Sequence, residues 1–415
     1  MMERASSEDP VTCGAGHALF WMMAANGVGL LLAYLLLVPK AGLLFGELTY
    51  GRWVPLHLNW QLYGWTALPL VSWVFVLLPR SRTTFARASC LGIRAWSGAL
   101  LLGGVFWLSG HTSGKMFLDW TGGLRVFFPV VVLFLWGVLA LSWWSDERRT
   151  WRAIPGLLAL LGVPFGLYFA SDPGVYPAVD QSTGGPTGAS LLNSTLSVVF
   201  LILLIPGLLG VKALNPRFNR FIWAAFFLNL GLGIYAETLS ASHSHPGQIA
   251  CLGSLLIWLV LLPWHYSRQD WKRPCLRWRR AMFLWLGLLI VNGFVTFLPG
   301  ILDRLKFSDA LVAHSHLAMA GFTTSFLIFI LQQILPEKSA AIFEFPRVFV
   351  VWHLAAFIYV LALLAAGIFA SQDPSFTIHP GLARNSLYTV RLLCGVFLFG
   401  VSLHWWRSFQ RTLSS

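Results

Sequence analysis

Three histidines stand where their spacing could do metal chemistry. His314 and His316 lie two residues apart in Ala313-His314-Ser315-His316, and His57 lies in Val54-Pro55-Leu56-His57-Leu58-Asn59. On a helix each residue turns by about 100°, so the two paired imidazoles point about 200° apart. A straight helix could not offer both to one flat site. It could offer one to each of two sites on its opposite sides. Imidazole is a good ligand for transition metals.

The composition defines the elements that must hold these rings. The 415 residues are 57% hydrophobic, 15% aromatic and 11% charged, with 21 tryptophans. A soluble domain carries about 25% charged residues, so this chain has too few to coat a water-facing surface. Disorder is excluded because it needs low hydrophobicity. The expectation is an all-α, polytopic membrane protein formed as a single integral membrane domain. Apolar runs long enough to cross a bilayer lie at roughly 17–38, 54–78, 93–110, 124–144, 154–171, 190–211, 218–238, 249–265, 281–300, 312–335, 347–370 and 388–406. That predicts about twelve transmembrane helices. Pro79, Pro173, Pro216, Pro246, Pro274, Pro336 and Pro374 punctuate the gaps. No internal repeat stands out. Met1 to Pro10 has three acidic residues and one arginine, a poor start for a cleaved signal, so the first helix is expected to stay.

The net charge of +13 comes from 29 Lys and Arg against 16 Asp and Glu. With a cytoplasmic N-terminus, the outer loops hold Lys40, Arg52, Lys115, Arg125, Arg304, Lys306, Arg384 and Arg391, leaving 21 of the 29 basic residues inside. This split follows the positive-inside rule. The basic balance is therefore topology, and nucleic acid is not an expected partner; membrane lipid is. Arg268, Lys272, Arg273, Arg277, Arg279 and Arg280 concentrate in one inner loop. Both termini are expected in the cytoplasm, and the location in a bacterial inner membrane.

This topology sorts the eleven histidines by depth. His57 opens the second span, and His314 and His316 open the tenth. Both spans run outside to inside, so all three rings lie near the outer face at one level. Ligand-type residues at such depth are functional candidates. Imidazole is an axial ligand of heme iron, and a bis-histidine heme needs two rings from different helices at one depth. His57 meets that condition as a partner for one ring of the His314 and His316 pair, and the other ring would then serve the opposite side of the tenth span. The five cysteines are scattered, and no Cys-x-x-Cys-His run occurs, so covalent heme attachment is not expected.

Phe45-Gly46, Tyr50-Gly51-Arg52-Trp53-Val54-Pro55-Leu56-His57-Leu58-Asn59 and Tyr63-Gly64-Trp65 together resemble the second-helix opening of subunit I of the heme-copper oxidase superfamily. The closest branches are the cbb-type cytochrome c oxidases and the bacterial nitric oxide reductases. Ala313 to Phe322 is similar to the tenth-helix motif of that family. Tyr388-Thr389-Val390-Arg391-Leu392-Leu393, with Gly395 and Gly400, resembles its last helix. The resemblance implies that His57 and His316 bind a low-spin, b-type heme. It implies that His314 binds a second, high-spin heme. It also implies partner subunits of a respiratory complex or a cytochrome electron donor.

The departures bear on the second metal. The family places a copper ligand on helix 6 and a histidine pair at the end of helix 7. No histidine occurs between His111 and His243; Leu191, Leu192, Asn193, Ser194 and Thr195 occupy the outer end of the sixth span. His243 and His245 are the remaining candidates, and Pro246 puts them in a loop. Glu237, in the seventh span, is a weaker candidate: a proton group, a metal ligand or a hydrated helix-end residue. Copper is therefore doubtful. The expected function is a membrane heme protein of the subunit I type, in respiratory electron transfer, with a degenerate binuclear centre. The alternatives are an active oxidase or nitric oxide reductase with an unusual second metal, and a heme-free membrane scaffold. If the chain is an enzyme, it is a heme-dependent oxidoreductase.

Overall fold

The computed structural model describes residues 9–76, 83–115, 117–146, 151–179, 192–239, 244–271, 273 and 275–414. The first helix, α1 (Pro10–Leu37), begins where Asp9 accepts hydrogen bonds from the Thr12 backbone N–H and hydroxyl. An acidic cap followed by proline is a strong start signal, and it opens the helix before the apolar run begins. A second helix follows in three parts: α2 (Tyr50–Asn59), a π-helical stretch Trp60–Thr66, and α3 (Ala67–Val76). Then come α4 (Thr83–Leu108), α5 (Leu124–Trp144), α6 (Ile154–Ala170), α7 (Leu192–Leu208) and α8 (Pro216–Thr238). Next are α9 (Pro246–Gly253), a short 3-10 stretch, α10 (Trp258–Ser267), α11 (Leu276–Thr296) and α12 (Leu302–Leu305). Another tripartite helix runs through α13 (Asp309–His316), a π-helical stretch Leu317–Thr323 and α14 (Thr324–Ile334). The chain finishes with α15 (Glu337–Ala340), α16 (Pro346–Gln372) and α17 (Leu382–Ser414).

Among the described residues, nine helices are long and apolar enough to cross a membrane. The protein is all-α and polytopic. Three of the expected spans fall outside these nine. Tyr50–Val76 is helical throughout but carries Arg52, His57, Asn59 and Gln61 among its apolar residues, and α6 and α7 have 17 residues each, at the lower limit of a bilayer crossing. Pro216 and Pro246 are the first residues of α8 and α9, so these breakers mark helix starts. Pro79 and Pro274 lie outside the described residues.

Exposed apolar rows show what surrounds the helices. On α11, Leu284, Leu288, Val291 and Val295 are exposed, while Trp278, Met282, Trp285 and Ile290 are buried. A water-facing helix would put polar residues on that outer row; here both faces are apolar, as lipid contact requires. Trp278 and Trp405 are buried core residues. Trp144 is exposed.

Internal contacts sort the chain into two compact units: Met1–Val179 with Ile330–Ala355 and Arg391–Ser415, and Asp180–Phe329 with Ala356–Val390. Each is assembled from separated stretches, so no linker in the sequence could mark a boundary. In the first unit, Trp120 stacks on Phe128 at 4.3 Å, and Tyr63 meets both edge-on at 5.3 and 4.9 Å. Trp96 and Trp107 complete this aromatic core. Its loop between α4 and α5 is organised by Asp119, fully buried, which accepts from the Ser113 backbone and hydroxyl and from Thr112. In the same unit Lys115 donates to the carbonyls of Ala170 and Ser171, and Arg125 donates to that of Tyr168. Two cations thus close the C-terminus of α6, where the helix dipole favours them. Burial pushes the Lys115 ammonium below its ordinary pKa. In the second unit, a two-residue antiparallel pair, β1 (Lys212–Ala213) with β2 (Gln269–Asp270), joins the loop before α8 to the loop after α10.

Candidate metal-binding histidines

Each candidate histidine is positioned by a different neighbour. His57, on α2, has its Nδ1 2.8 Å from the Ala25 carbonyl of α1. A carbonyl only accepts, so Nδ1 carries the proton and Nε2 keeps the lone pair. That is the tautomer a metal ligand needs, held by the partner type that usually orients one. Ala25 is followed by Gly29 one turn on, and a Cβ at Gly29 would sit 2.8 Å from His57 Cε1. Only glycine leaves the ring its place.

His316, at the end of α13, has its Nδ1 2.8 Å from the Val312 carbonyl of its own helix. The same tautomer results. Its ring stacks on Tyr359 of α16, with centroids 4.7 Å apart and planes 29° apart. His314 has its Nδ1 2.8 Å from Asn292 Oδ1 on α11. A Cβ at the neighbouring Gly293 would stand 3.2 Å from His314 Cε1. Glycine again borders the ring edge. His314 and His316 thus take partners from different elements, as their opposed directions require.

Both histidine-bearing helices change from α to π just beyond the histidine. In the first unit the π stretch starts three residues after His57; in the second it starts directly after His316. A π turn shifts the register of all that follows and is frequent at functional sites. It also loosens backbone carbonyls, which must be satisfied inside a membrane. The Ala67 N–H reaches back to Leu62, and Trp96 Nε1 donates to the Tyr63 carbonyl at 3.0 Å. In the other stretch the Thr324 N–H and hydroxyl both serve the Met319 carbonyl, and Ser325 serves Gly321. The fifth residue of each π stretch is a glycine. Gly64 lies against Trp21 of α1 so closely that a Cβ would overlap its side chain. Gly321 lies in the same way against the Trp285 ring of α11.

His245 is exposed and caps α9, its Nδ1 accepting the Gly247 N–H at 3.1 Å. Glu237 is exposed on α8. His243 lies outside the described residues. Near the start of α7, Leu192 is buried and Thr195 half-buried. Among the described residues, no three His, Cys, Asp or Glu side chains converge as they would around a metal ion.

Sequence reasoning did not single out Asn292, Gly29, Gly293 or the Ala25 carbonyl. Asn292 had a signal: it is the lone amide in the apolar part of α11, and intramembrane polar groups are functional candidates. The Ala25 carbonyl had none, because every residue carries one. Arg384 and Arg391 were counted only as outer charges, yet they are buried. Arg384 donates to the Thr377 carbonyl and to Asn385, and lies over Tyr388.

Compared with known proteins, the chain matches no family model and no curated sequence.

Proposed function

We propose that this chain is a membrane heme protein of the heme-copper oxidase subunit I type, taking part in respiratory electron transfer, with a degenerate second metal centre. One observation carries the reading. His57, His314 and His316 each have Nδ1 on an oxygen acceptor, which assigns the lone pair to Nε2 in all three. That is the protonation state an axial heme ligand needs. The donor set fits heme iron: neutral imidazoles, each oriented by an acceptor behind it.

In this reading His57 and His316 hold a low-spin, b-type heme, and His314 holds a second, high-spin heme. The bound heme supplies one-electron chemistry. The chain's own residues do the positioning. Ala25 and Val312 fix the two low-spin rings through main-chain carbonyls, Asn292 fixes His314 through its amide, and the π stretches set the helix register beyond the rings. Copper in the usual three-histidine arrangement is not part of the reading. His245 uses Nδ1 as a helix cap, and the sixth span offers leucine and threonine. The membrane topology proposed is twelve spans with both termini on the cytoplasmic side of a bacterial inner membrane. The β1–β2 pair supports it, because it joins two loops that the topology assigns to one face.

The test is cofactor analysis of the purified chain. The reading expects non-covalent heme extractable into acidified solvent, copper well below one per chain, and carbon monoxide binding to the reduced protein. Absence of heme would overturn it. One tight copper per chain, with oxygen consumption lost on replacing His243 and His245, would restore an active oxidase.

A further inference from the structure

The first unit contains a cleft of about 440 Å³ between α1, α4 and α17, away from the histidines discussed so far. Each helix contributes one face to it, and the faces of α1 and α4 grade from polar to apolar. On α4 the order is Arg94, Ser97, Leu101; on α1 it is Cys13, His17, Phe20. These spacings of three and four put each set on one stripe. On α17, which runs the opposite way, Gln410 stands level with the polar stretch, between Leu413 beyond it and Trp406 toward the apolar end. One end of the cleft is therefore cationic and hydrogen-bonding, and the other is aliphatic and aromatic.

The polar end is built. Trp21 Nε1 donates to Ser97 Oγ at 2.9 Å, and Ser97 Oγ lies 2.7 Å from His17 Nδ1. The Ser97 hydroxyl, which accepts from Trp21, donates its hydrogen bond to Nδ1, so His17 carries its proton on Nε2, a free donor. Arg94 is exposed and makes no ion pair or hydrogen bond with any described residue. Among the described residues, Asp9, directly ahead of α1, is occupied in capping that helix. Leu101, at the apolar end, is 55% exposed, so the cleft opens sideways along helices long enough to cross a membrane.

We propose that this cleft binds the head group of an anionic phospholipid, with its phosphate at Arg94 and His17 and its upper acyl chain along Leu101, Phe20 and Trp406. A guanidinium with no counter-ion among the described residues calls for an anion. The polar-to-apolar gradient calls for an amphiphile lying along the helix axes. A free phosphate would satisfy the first demand and leave the second unused. A neutral amphiphile would do the reverse.

The test is photo-labelling in vesicles. Protein is reconstituted in phosphatidylcholine carrying a trace of a photoactivatable phosphatidylglycerol, and labelled peptides are mapped. Label is expected on the segments around Phe20, Leu101 and Trp406. Unlabelled phosphatidylglycerol should compete and phosphatidylcholine should not. Arg94→Gln should lower labelling about fivefold, the worth of roughly one interfacial charge. Gln410→Glu should lower it without touching the arginine. Arg94 is exposed, so the thermal midpoint of its variant should match the parent. Equal labelling by a phosphatidylcholine probe, or labelling unchanged in both variants, would overturn the proposal. Displacement by excess inorganic phosphate would overturn the lipid assignment and give the site to a free anion. None of these outcomes depends on heme.

Discussion

The helix bearing His57 and the helix bearing His314 and His316 are two versions of one local plan. Both run α to π to α, both place glycine fifth in the π stretch, and both press that glycine on a tryptophan from a neighbouring helix. They differ in what holds the rings. His57 is held by a carbonyl of another helix, His316 by a carbonyl of its own helix, and His314 by an amide side chain. A main-chain acceptor survives substitution of its own side chain, whereas Asn292 can be deleted outright. The plan therefore protects two rings by the backbone and leaves the third open to change.

The largest effect should come from the rings themselves. Under the proposed function, His57→Ala and His316→Ala each remove the low-spin absorption, while His314→Ala spares it and removes carbon monoxide binding. Equal loss of all signals in all three variants would break the distinction between the two heme sites.

The π stretches come next. Gly64→Leu and Gly321→Leu force a side chain into Trp21 and Trp285. Overpacking of this kind costs about 1–3 kcal/mol, so both should lower the thermal midpoint measurably. The control is Gly137→Ala on α5, where a Cβ meets nothing within 4 Å; it should leave the midpoint near the parent or raise it. Gly29→Ala should act differently again. The fold should persist while the His57 ring is displaced, seen as a shifted low-spin band.

Asn292→Leu sharpens the contrast between backbone and side-chain support. Loss of an acceptor behind a metal-binding histidine typically costs 10–100-fold in affinity. Retention of the high-spin heme should fall by about that factor, with the low-spin band untouched. Ala25→Val should leave its carbonyl in place and His57 properly oriented.

The smallest effect lies outside the membrane. The Gly174 N–H and the Arg125 guanidinium, 3.0 Å away, hold the Asp172 carboxyl below its ordinary pKa. A carboxylate with a lowered pKa stabilises the fold above its ordinary value, near 4, and that contribution is lost as pH falls through the lowered value. Asp172→Asn should therefore melt slightly lower than the parent at neutral pH, and the gap should close in acid. A gap that widens in acid would reverse the assignment.

Much of this was legible before the fold. Composition and apolar runs identify an all-α membrane protein because burial in lipid leaves few alternatives to helices. Pro216 and Pro246 mark helix starts for a steric reason that local sequence carries. The three histidines stand out because titratable groups are rare in apolar runs. The π stretches were not legible: Trp60–Thr66 and Leu317–Thr323 read as ordinary apolar helix, and their register depends on Gly64 and Gly321 meeting tryptophans far away in sequence. The repeated plan shows no sequence repeat for the same reason, since it resides in register and packing rather than residue identity. The supports of the rings were hidden as well, because a carbonyl acceptor leaves no mark on the sequence.

The central claim is that His57 and His316 share the low-spin heme, and one measurement tests it most directly. Reduced-minus-oxidised spectra of the purified parent, His57→Ala, His316→Ala and His314→Ala should be compared at equal protein concentration. The account predicts a low-spin b-type band in the parent and in His314→Ala, absent from both His57→Ala and His316→Ala. A band that persists unchanged in His57→Ala or in His316→Ala, or no heme band in the parent, would contradict it.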